Sequence, residues 1–145
     1  MPQLTFPIGS DGLCVDVFLN LDAAILVPLQ SSGQPTPNPL PARGLIDTGS
    51  DLTVVSLPLL QQLGAAIQPP VTTHGLSGPV RADTYLISLH ILDFQNLVGP
   101  WLSHPTLSVM GLPLRSKFDV LIGMDVLLGC KLLLDGPARQ FTLEF

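Results

Sequence analysis

Apolar residues recur at every second position through most of this sequence. In "LCVDVFLN" (residues 13–20) the odd-numbered positions are apolar, whereas Asp16 and Asn20 lie on the opposite face. The same alternation runs through Tyr85–Ile91 and through Phe141–Phe145. Alternation of period two predicts half-buried strands. Many short strands with few helices indicate a mostly β protein, folded as a closed barrel or a sandwich.

Other stretches complete this pattern. "AILVPLQ" (Ala24–Gln30) is interpreted as a second strand, which forms a hairpin with "LCVDVFLN" around Asn20–Asp22. Leu57–Gly64 is predicted to be a short helix, because proline suits its first turn and glycine its C-terminal cap. "MDVLLG" predicts one or two helical turns. The last sixteen residues, "CKLLLDGPARQFTLEF", predict a hairpin that turns at Asp135–Gly136.

Two stretches are predicted to be loops. Ser31–Pro41 has proline at every second position from residue 35 to residue 41. Proline lacks the backbone N–H that a β-ladder needs, so this stretch is interpreted as an exposed insertion. Asp93–Pro105 is also loop-like and contains Trp101. Since no other boundary or repeat is evident, we expect residues 1–145 to form a single domain.

Composition excludes several classes of protein. Of the 145 residues, 46% are hydrophobic and 12% are charged, which excludes general disorder. A net charge of −5 without any cluster of Lys or Arg argues against a nucleic-acid partner. No apolar run approaches the ~20 residues of a membrane span, and no basic segment precedes an apolar one at the N-terminus. We therefore expect a cytoplasmic protein, part of whose low-charge surface is covered by another chain.

Cysteine and histidine give no sign of a metal or cofactor. Cys14 and Cys130 are far apart, and the three histidines have no metal-binding spacing. No nucleotide-binding motif or nucleophile elbow occurs either. We therefore expect neither a cofactor nor a metal, and a cysteine hydrolase lacks the nearby histidine motif that it needs.

An acidic residue inside "GLIDTGSDLTVVS" (Gly44–Ser56) is the feature that most needs an explanation. Asp47 directly follows apolar residues of a predicted strand. A buried, unpaired carboxylate is very unfavourable. Either Asp47 caps an ordinary turn between two strands, or its charge is needed there.

Three segments together resemble the aspartic proteases. "LIDTGSDLTVVS" resembles the active-site strand, turn and strand of that family, and "DVLIGMDVLLGCKLLL" resembles its second signature. "GLSGPV" lies between them, where the family has a flap hairpin; an ordinary hairpin is the alternative for Gly75–Pro79. With only one D-T-G, the chain resembles the retropepsin branch, and its cellular and bacterial members more than the retroviral enzymes. The likeness covers about residues 13–145 and implies a closed, pepsin-like barrel with a flap hairpin and one or two short helices.

The resemblance implies an aspartic endopeptidase that acts as a homodimer on a polypeptide substrate with apolar residues at the cut. The catalytic segment would be Asp47, Thr48 and Gly49. Each chain would give one Asp47 to a pair of carboxylates about 3 Å apart, which share one proton. Thr48 would lock the two turns together, and Gly49 would let the substrate backbone approach. The alternative is a non-catalytic retropepsin-like dimer that binds extended peptides.

The same resemblance implies a set of substrate-binding residues and two departures. The substrate-binding set is Ser50, Asp51, Gly75, Leu76, Ser77 and Gly78. Met124 stands where retroviral enzymes have an arginine that pairs with the acid at position 51. The candidate partners of Asp51 are therefore Arg43, Arg81 and Arg115.

Two further expectations follow from the likeness. The Ser50 hydroxyl is expected to donate to the carboxylate pair and so set the acidic limb of a bell-shaped pH profile. The dimer interface is expected to include Phe141–Phe145, whose apolar face needs a partner, and nearby N-terminal residues.

Overall fold

The structure is a computed structural model, and it describes residues 1–75, 77–114 and 117–145. Ten strands and three short helices follow one another along these residues. In chain order they are β1 (Gln3–Pro7), β2 (Cys14–Leu21), α1 (Ala23–Ser31), β3 (Leu40–Ile46), β4 (Val54–Ser56), α2 (Leu57–Leu63), β5 (Ala66–Gly75), β6 (Gly78–Leu92), β7 (Leu102–Leu112), β8 (Val120–Ile122), α3 (Met124–Leu127), β9 (Lys131–Asp135) and β10 (Gln140–Glu144).

Seven strands form one sheet that closes on itself. Their order is β2-β3-β8-β4-β7-β6-β5, and β2 also pairs with β6, which closes six of them into a barrel. Two of the contacts, β3–β8 and β4–β7, are parallel. The alternating apolar residues of β2 and β6 point inward, where Val17, Ile87 and Leu89 are fully buried. The prediction of a mostly β, closed barrel is confirmed.

The two ends of the described chain meet in a second sheet, whose order is β1-β10-β9. The predicted C-terminal hairpin is confirmed as β9 and β10. However, Phe141 and Leu143 of β10 are fully buried within their own chain, and Phe141 stacks on Phe6 with ring centroids 5.5 Å apart. The expectation that this apolar face needs a second chain is therefore wrong, because β1 and the barrel already cover it.

The segment interpreted as a second strand is a helix. α1 includes all of Ala24–Gln30, and its first N–H groups, those of Ile25 and Leu26, donate to the carbonyl of Asp22. This segment has no alternation of polar and apolar residues, and the helix buries none of its side chains. Because Thr106 of β7 donates a 2.5 Å hydrogen bond to the buried Asp22 carboxylate, the chain turns away from β2 at that point. The expected hairpin around Asn20–Asp22 is absent.

Both predicted loops are shorter than expected. Leu40 and Pro41 belong to β3 and lie opposite Leu19 and Phe18 of β2, so the proline-rich stretch does join a ladder at its end. Residues 102–105 belong to β7. The loop between β6 and β7 packs Phe94 and Trp101 against Phe18, with ring centroids 5.0 and 5.9 Å apart.

The remaining local predictions agree with the structure. α2 ends at Leu63, and Gly64 caps it in the left-handed conformation with a φ of 69°. "MDVLLG" contains the single turn of α3. β5 and β6 form the hairpin predicted around Gly75–Pro79. Within the described residues, none of the helices has the length and apolar character needed to span a membrane.

Candidate active site

The turn formed by Asp47–Asp51, here named the Asp47 turn, begins where β3 ends. The Asp47 N–H donates to the Ile122 carbonyl at 2.9 Å, which continues the pairing of β3 with β8. One carboxylate oxygen of Asp47 accepts a 3.0 Å hydrogen bond from the Gly49 N–H, and its carbonyl accepts one from Ser50. Asp47 is half-buried in the single chain. The turn is thus of the Asx type, and it also presents the carboxylate to a cleft.

Gly123 packs directly behind this turn. A Cβ atom at Gly123 would lie 2.6 Å from the carbonyl carbon and oxygen of Leu52 and 2.9 Å from the carbonyl oxygen of Ser50. These are backbone atoms that cannot move aside without distorting the turn. Glycine at this position is therefore a requirement of close packing.

Two residues that sequence reasoning did not identify join the turn to α3. Thr53 is fully buried, and its N–H and hydroxyl donate to the two carboxylate oxygens of Asp125 at 2.9 and 2.7 Å. The Thr53 hydroxyl in turn accepts a bond from the Gly123 N–H at 3.1 Å. The sequence shows an acid, Asp125, two residues after Gly123, but it does not show that this acid binds Thr53.

Backbone bonds complete the connection between the turn and α3. The Met124 N–H donates to the Ser50 carbonyl at 2.7 Å, and the Asp125 N–H donates to the Asp51 carbonyl at 3.1 Å. Each bond joins residues more than seventy positions apart. The first residues of α3 therefore fix the backbone of the Asp47 turn.

The Ser50 hydroxyl does not donate to Asp47. It donates to the Leu52 carbonyl at 2.6 Å, within the same turn. A hydroxyl has one proton to donate. The expectation that this proton reaches a carboxylate of the site is wrong for this conformation.

Thr48 and Asp51 are both exposed in the single chain. Arg43 pairs with Asp11 at 3.2 Å and stacks over the Phe118 ring, so it is not the partner of Asp51. No ion pair among residues 1–75, 77–114 and 117–145 includes Asp51 or Arg81. Arg115, the third candidate partner, lies outside the described residues.

The β5–β6 hairpin borders the same cleft near its tip. Gly75 lies opposite Gly78, whose φ of 111° is in the region that favours glycine, and Ser77 is exposed. Leu76 lies outside the described residues. The cleft measures about 600 Å³, and the residues that line it are Asp47, Gly49, Ser50, Asp51, Val54, Thr73, His74, Gly75, Val80, Met110 and Leu112.

A second cavity, of about 620 Å³, is lined by residues of β1, β2 and the segment between them and does not include the Asp47 turn. Its charged groups are already satisfied within the chain. Arg43 and Lys117 both bind Asp11, whose pKa is lowered mainly by its hydrogen bond with the Lys117 ammonium. Asp16 accepts the N–H of Phe94. The cleft beside Asp47 is therefore the better candidate for chemistry.

The remaining titratable side chains do not form a rival site. Burial raises the pKa of the Cys130 thiol, which disfavours the thiolate that a cysteine nucleophile needs. Burial lowers the pKa of His104, and the Asp125 carboxylate partly opposes that shift. Across the part of the chain that is described, no three His, Cys, Asp or Glu residues cluster as metal ligands would.

Comparison with known proteins adds two findings to this geometry. The family model described as "Aspartyl protease" matches residues 27–126. The fold is similar to the crystal structure of a retropepsin-like aspartic protease from Rickettsia conorii, with a TM-score of 0.60 and 14% sequence identity, over 99% of this chain and 90% of that one. A search of curated proteins found no match.

Proposed function

Because the chain belongs to the aspartyl protease family, we propose that it is an aspartic endopeptidase active as a homodimer, with Asp47 of each copy forming the catalytic pair. The observation that carries the proposal is the position of Asp47. It lies on a turn fixed by backbone hydrogen bonds, at the wall of a cleft that the β5–β6 hairpin also lines.

The chemistry requires two carboxylates. One takes a proton from a water molecule while the other gives a proton to the carbonyl oxygen of the scissile bond. Each chain has a single D-T-G, so the second carboxylate comes from Asp47 of a second copy. At about 3 Å the two acids share one proton, which supplies the general acid and the general base together.

The surroundings of Asp47 support roles for its neighbours in the turn. Thr48 is exposed in the single chain, so its hydroxyl is free to contact the second copy. Gly49, Ser50 and Asp51 line the cleft, and in this proposal their backbone groups bind the substrate.

The β5–β6 hairpin is the proposed flap, with its tip at Gly75, Leu76, Ser77 and Gly78. It closes over a bound segment and excludes water from the reacting atoms. Gly75 already borders the cleft, and Gly78 supplies the unusual backbone angle of the tip.

The proposed substrate is a polypeptide in an extended conformation. Val54, Val80, Met110 and Leu112 give the cleft an apolar lining. Such a surface favours apolar side chains near the cut.

The test compares wild type with Asp47→Asn in cleavage of a mixed peptide library between acidic and neutral pH. Asp47→Asn should lose cleavage by a factor of 10³ or more, because the amide can act neither as the acid nor as the base. Asp83→Asn, on β6, is the matched control and should cleave like wild type. Cleavage by Asp47→Asn near the wild-type rate would remove Asp47 from the mechanism. Peptide binding by wild type without cleavage would favour the non-catalytic alternative.

A further inference from the structure

Asp51 carries a carboxylate that none of the described residues binds. The sequence has eleven acidic side chains. Within residues 1–75, 77–114 and 117–145, nine of them accept a hydrogen bond or an ion pair from an N–H, hydroxyl or ammonium group of the chain. The other two, Asp51 and Asp83, are exposed and accept none from these residues. Because a carboxylate has two acceptor oxygens, Asp51 keeps its binding capacity for another molecule.

The two unbound acids differ in their place in the fold. Asp51 lines the cleft beside the Asp47 turn, whereas Asp83 lies on β6 outside the cleft lining. The backbone of Asp51 is fixed, because its carbonyl accepts the Asp125 N–H at 3.1 Å. A free carboxylate on a fixed backbone is preorganised, so a ligand that binds it spends little affinity on ordering the chain.

The chain brings no basic side chain of its own into this part of the cleft. The described lining contains two acids, Asp47 and Asp51, one histidine, His74, and neither lysine nor arginine. Three of the described Lys and Arg side chains bind acids elsewhere. Arg81 follows Val80, whose side chain lines the cleft, and successive side chains of a strand point to opposite faces. Arg81 therefore lies on the other face of the hairpin.

Two acids in each copy make the cleft of a dimer negative. In the proposed function the two Asp47 carboxylates share one proton, and the two Asp51 carboxylates add their own charges. The apolar walls of the cleft focus this field and raise the local concentration of cations. Lys and Arg side chains suit such a lining, because their hydrocarbon stems pack on apolar surface while their charged ends bind a carboxylate.

The geometry of the turn limits how far from the cut this contact lies. The Ser50 N–H donates to the Asp47 carbonyl at 3.2 Å, as in a β-turn, so the Cα atoms of these two residues are within about 7 Å. Asp51 is the next residue, about 3.8 Å further along the chain. An extended substrate advances about 3.3 Å per residue. Asp51 therefore reaches substrate side chains within about three residues of the cut.

We propose that Asp51 is a specificity-determining residue, whose carboxylate binds the ammonium or guanidinium group of a substrate Lys or Arg within three residues of the cut. The preferred substrate is then a polypeptide in which basic residues flank apolar ones. This inference rests on the proposed function, which places the cut at Asp47. Because the two copies of a two-fold dimer each offer one Asp51, a basic residue is favoured on either side of the cut.

Cleavage of matched peptides tests the proposal. The peptides are acetylated at the N-terminus and differ only in having Lys, Gln or Glu at one of the three positions on either side of an apolar cut. For wild type we expect kcat/KM for the best Lys peptide to exceed that for its Gln counterpart about tenfold, equivalent to about 1.4 kcal/mol. Asp51→Asn should reduce this ratio to about twofold or less. Asp83→Asn, the matched control, should retain it.

Reversal of the charge sharpens the test. Asp51→Lys should prefer the Glu peptide to the Gln peptide, since the sign of the charge at this position decides the choice. A wild type without preference for Lys at any of the six positions would overturn the proposal. An unchanged Lys-to-Gln ratio in Asp51→Asn would also overturn it, and so would a uniform loss of activity in Asp51→Lys without a preference for Glu.

Peptide binding separates this inference from the proposed function. Asp47→Asn keeps an oxygen that can accept the Gly49 N–H, and it does not consume the peptide. It should bind the Lys peptide about tenfold more tightly than the Gln peptide, and Asp47→Asn, Asp51→Asn should lose that ratio. A Lys preference in binding, with no cleavage by wild type, would keep the role of Asp51 and reject the protease. Cleavage without a Lys preference would keep the protease and reject the role of Asp51, and absence of both binding and cleavage would reject both.

Discussion

The Asp47 turn and the tip of the β5–β6 hairpin face the same cleft, but they are held in different ways. The turn donates a backbone hydrogen bond to Ile122 and accepts two from Met124 and Asp125, and Gly123 packs directly against its backbone. Among the described residues, the tip pairs only across its own two strands, and this ladder is irregular further along, between Gln68 and Val71. Local stability therefore differs within one cleft. In the proposed function, the turn holds the carboxylate in place and the hairpin is the flap that closes over the substrate.

The largest expected effect comes from breaking the packing behind the turn. Gly123→Ala places a methyl group 2.6 Å from the Leu52 carbonyl, so the backbone of the turn must shift. We expect a loss of about 3 kcal/mol or more in unfolding free energy, together with loss of cleavage. Urea denaturation measures the first effect. Gly136→Ala, where nothing lies within 4 Å, is the control and should be near neutral; equal stability of the two variants would contradict the packing argument.

Removing the Thr53 hydroxyl should have the next largest effect. Thr53→Val keeps the shape but removes one of the two donors to an Asp125 oxygen, which retains the Val126 N–H, and removes the hydroxyl that accepts from the Gly123 N–H. The expected loss is about 2 kcal/mol in unfolding free energy, with a smaller fall in kcat than for Gly123→Ala. Thr72→Val, at an exposed position of β5, should leave both quantities close to wild type. A stable, fully active Thr53→Val variant would show that the link to α3 is dispensable.

At the tip of the hairpin, we expect a substitution to affect activity more than stability. Gly78→Ala forces alanine to a φ of 111°, which strains the tip by about 1–2 kcal/mol. Because the tip is joined to the rest of the chain through β5 and β6, the strain should stay local, so the melting temperature should change little, whereas kcat/KM should fall several-fold. Gly136→Ala has no such dihedral, meets nothing within 4 Å and does not line the cleft, so it is the control. A large drop in melting temperature for Gly78→Ala would mean that the tip is as firmly held as the turn.

Ser50→Ala tests whether the Ser50 hydroxyl donates to the carboxylate pair or only to the Leu52 carbonyl. The variant loses one hydrogen bond to the Leu52 carbonyl, so we expect a loss of about 1 kcal/mol in stability. The acidic limb of the pH–rate profile should stay in place, since the hydroxyl proton is not directed at Asp47. A displaced limb would restore the role first expected from the sequence.

The smallest expected effect is a change in how stability depends on pH. Burial lowers the pKa of both His90 and His104 below the ordinary value of 6.5, and for His90 the charge of His104 adds to the shift. As pH falls through about 6.5, the unfolded chain therefore binds protons that the folded chain does not, and stability decreases. His90→Gln should reduce the fall in melting temperature between pH 7.5 and 5. His74→Gln, in the exposed hairpin, is the comparison, and an equal effect of both would contradict the burial argument.

Individual elements show which predictions could succeed from sequence. β2, β6 and α2 follow from alternation and capping residues, because these signals lie within a few neighbouring positions. α1 was predicted wrongly since "AILVPLQ" has no clear period, and Thr106, far along the chain, binds the residue before the helix. The Asp47 turn was found through its D-T-G, whereas its support by Asp125 was missed because Thr53 and Asp125 lie 72 positions apart.

The sequence by itself determined the alternating strands, the place of the acidic turn and the glycine that caps α2. Each of these depends on backbone dihedrals, side-chain size or the two faces of a strand, which are local properties. Only the tertiary structure decided that β10 lies between β1 and β9, that the Ser50 hydroxyl turns to Leu52, and that the edge of β9 stays unpaired. These outcomes depend on which strands from distant parts of the chain pair with each other. They also depend on which of several nearby acceptors a donor group then binds.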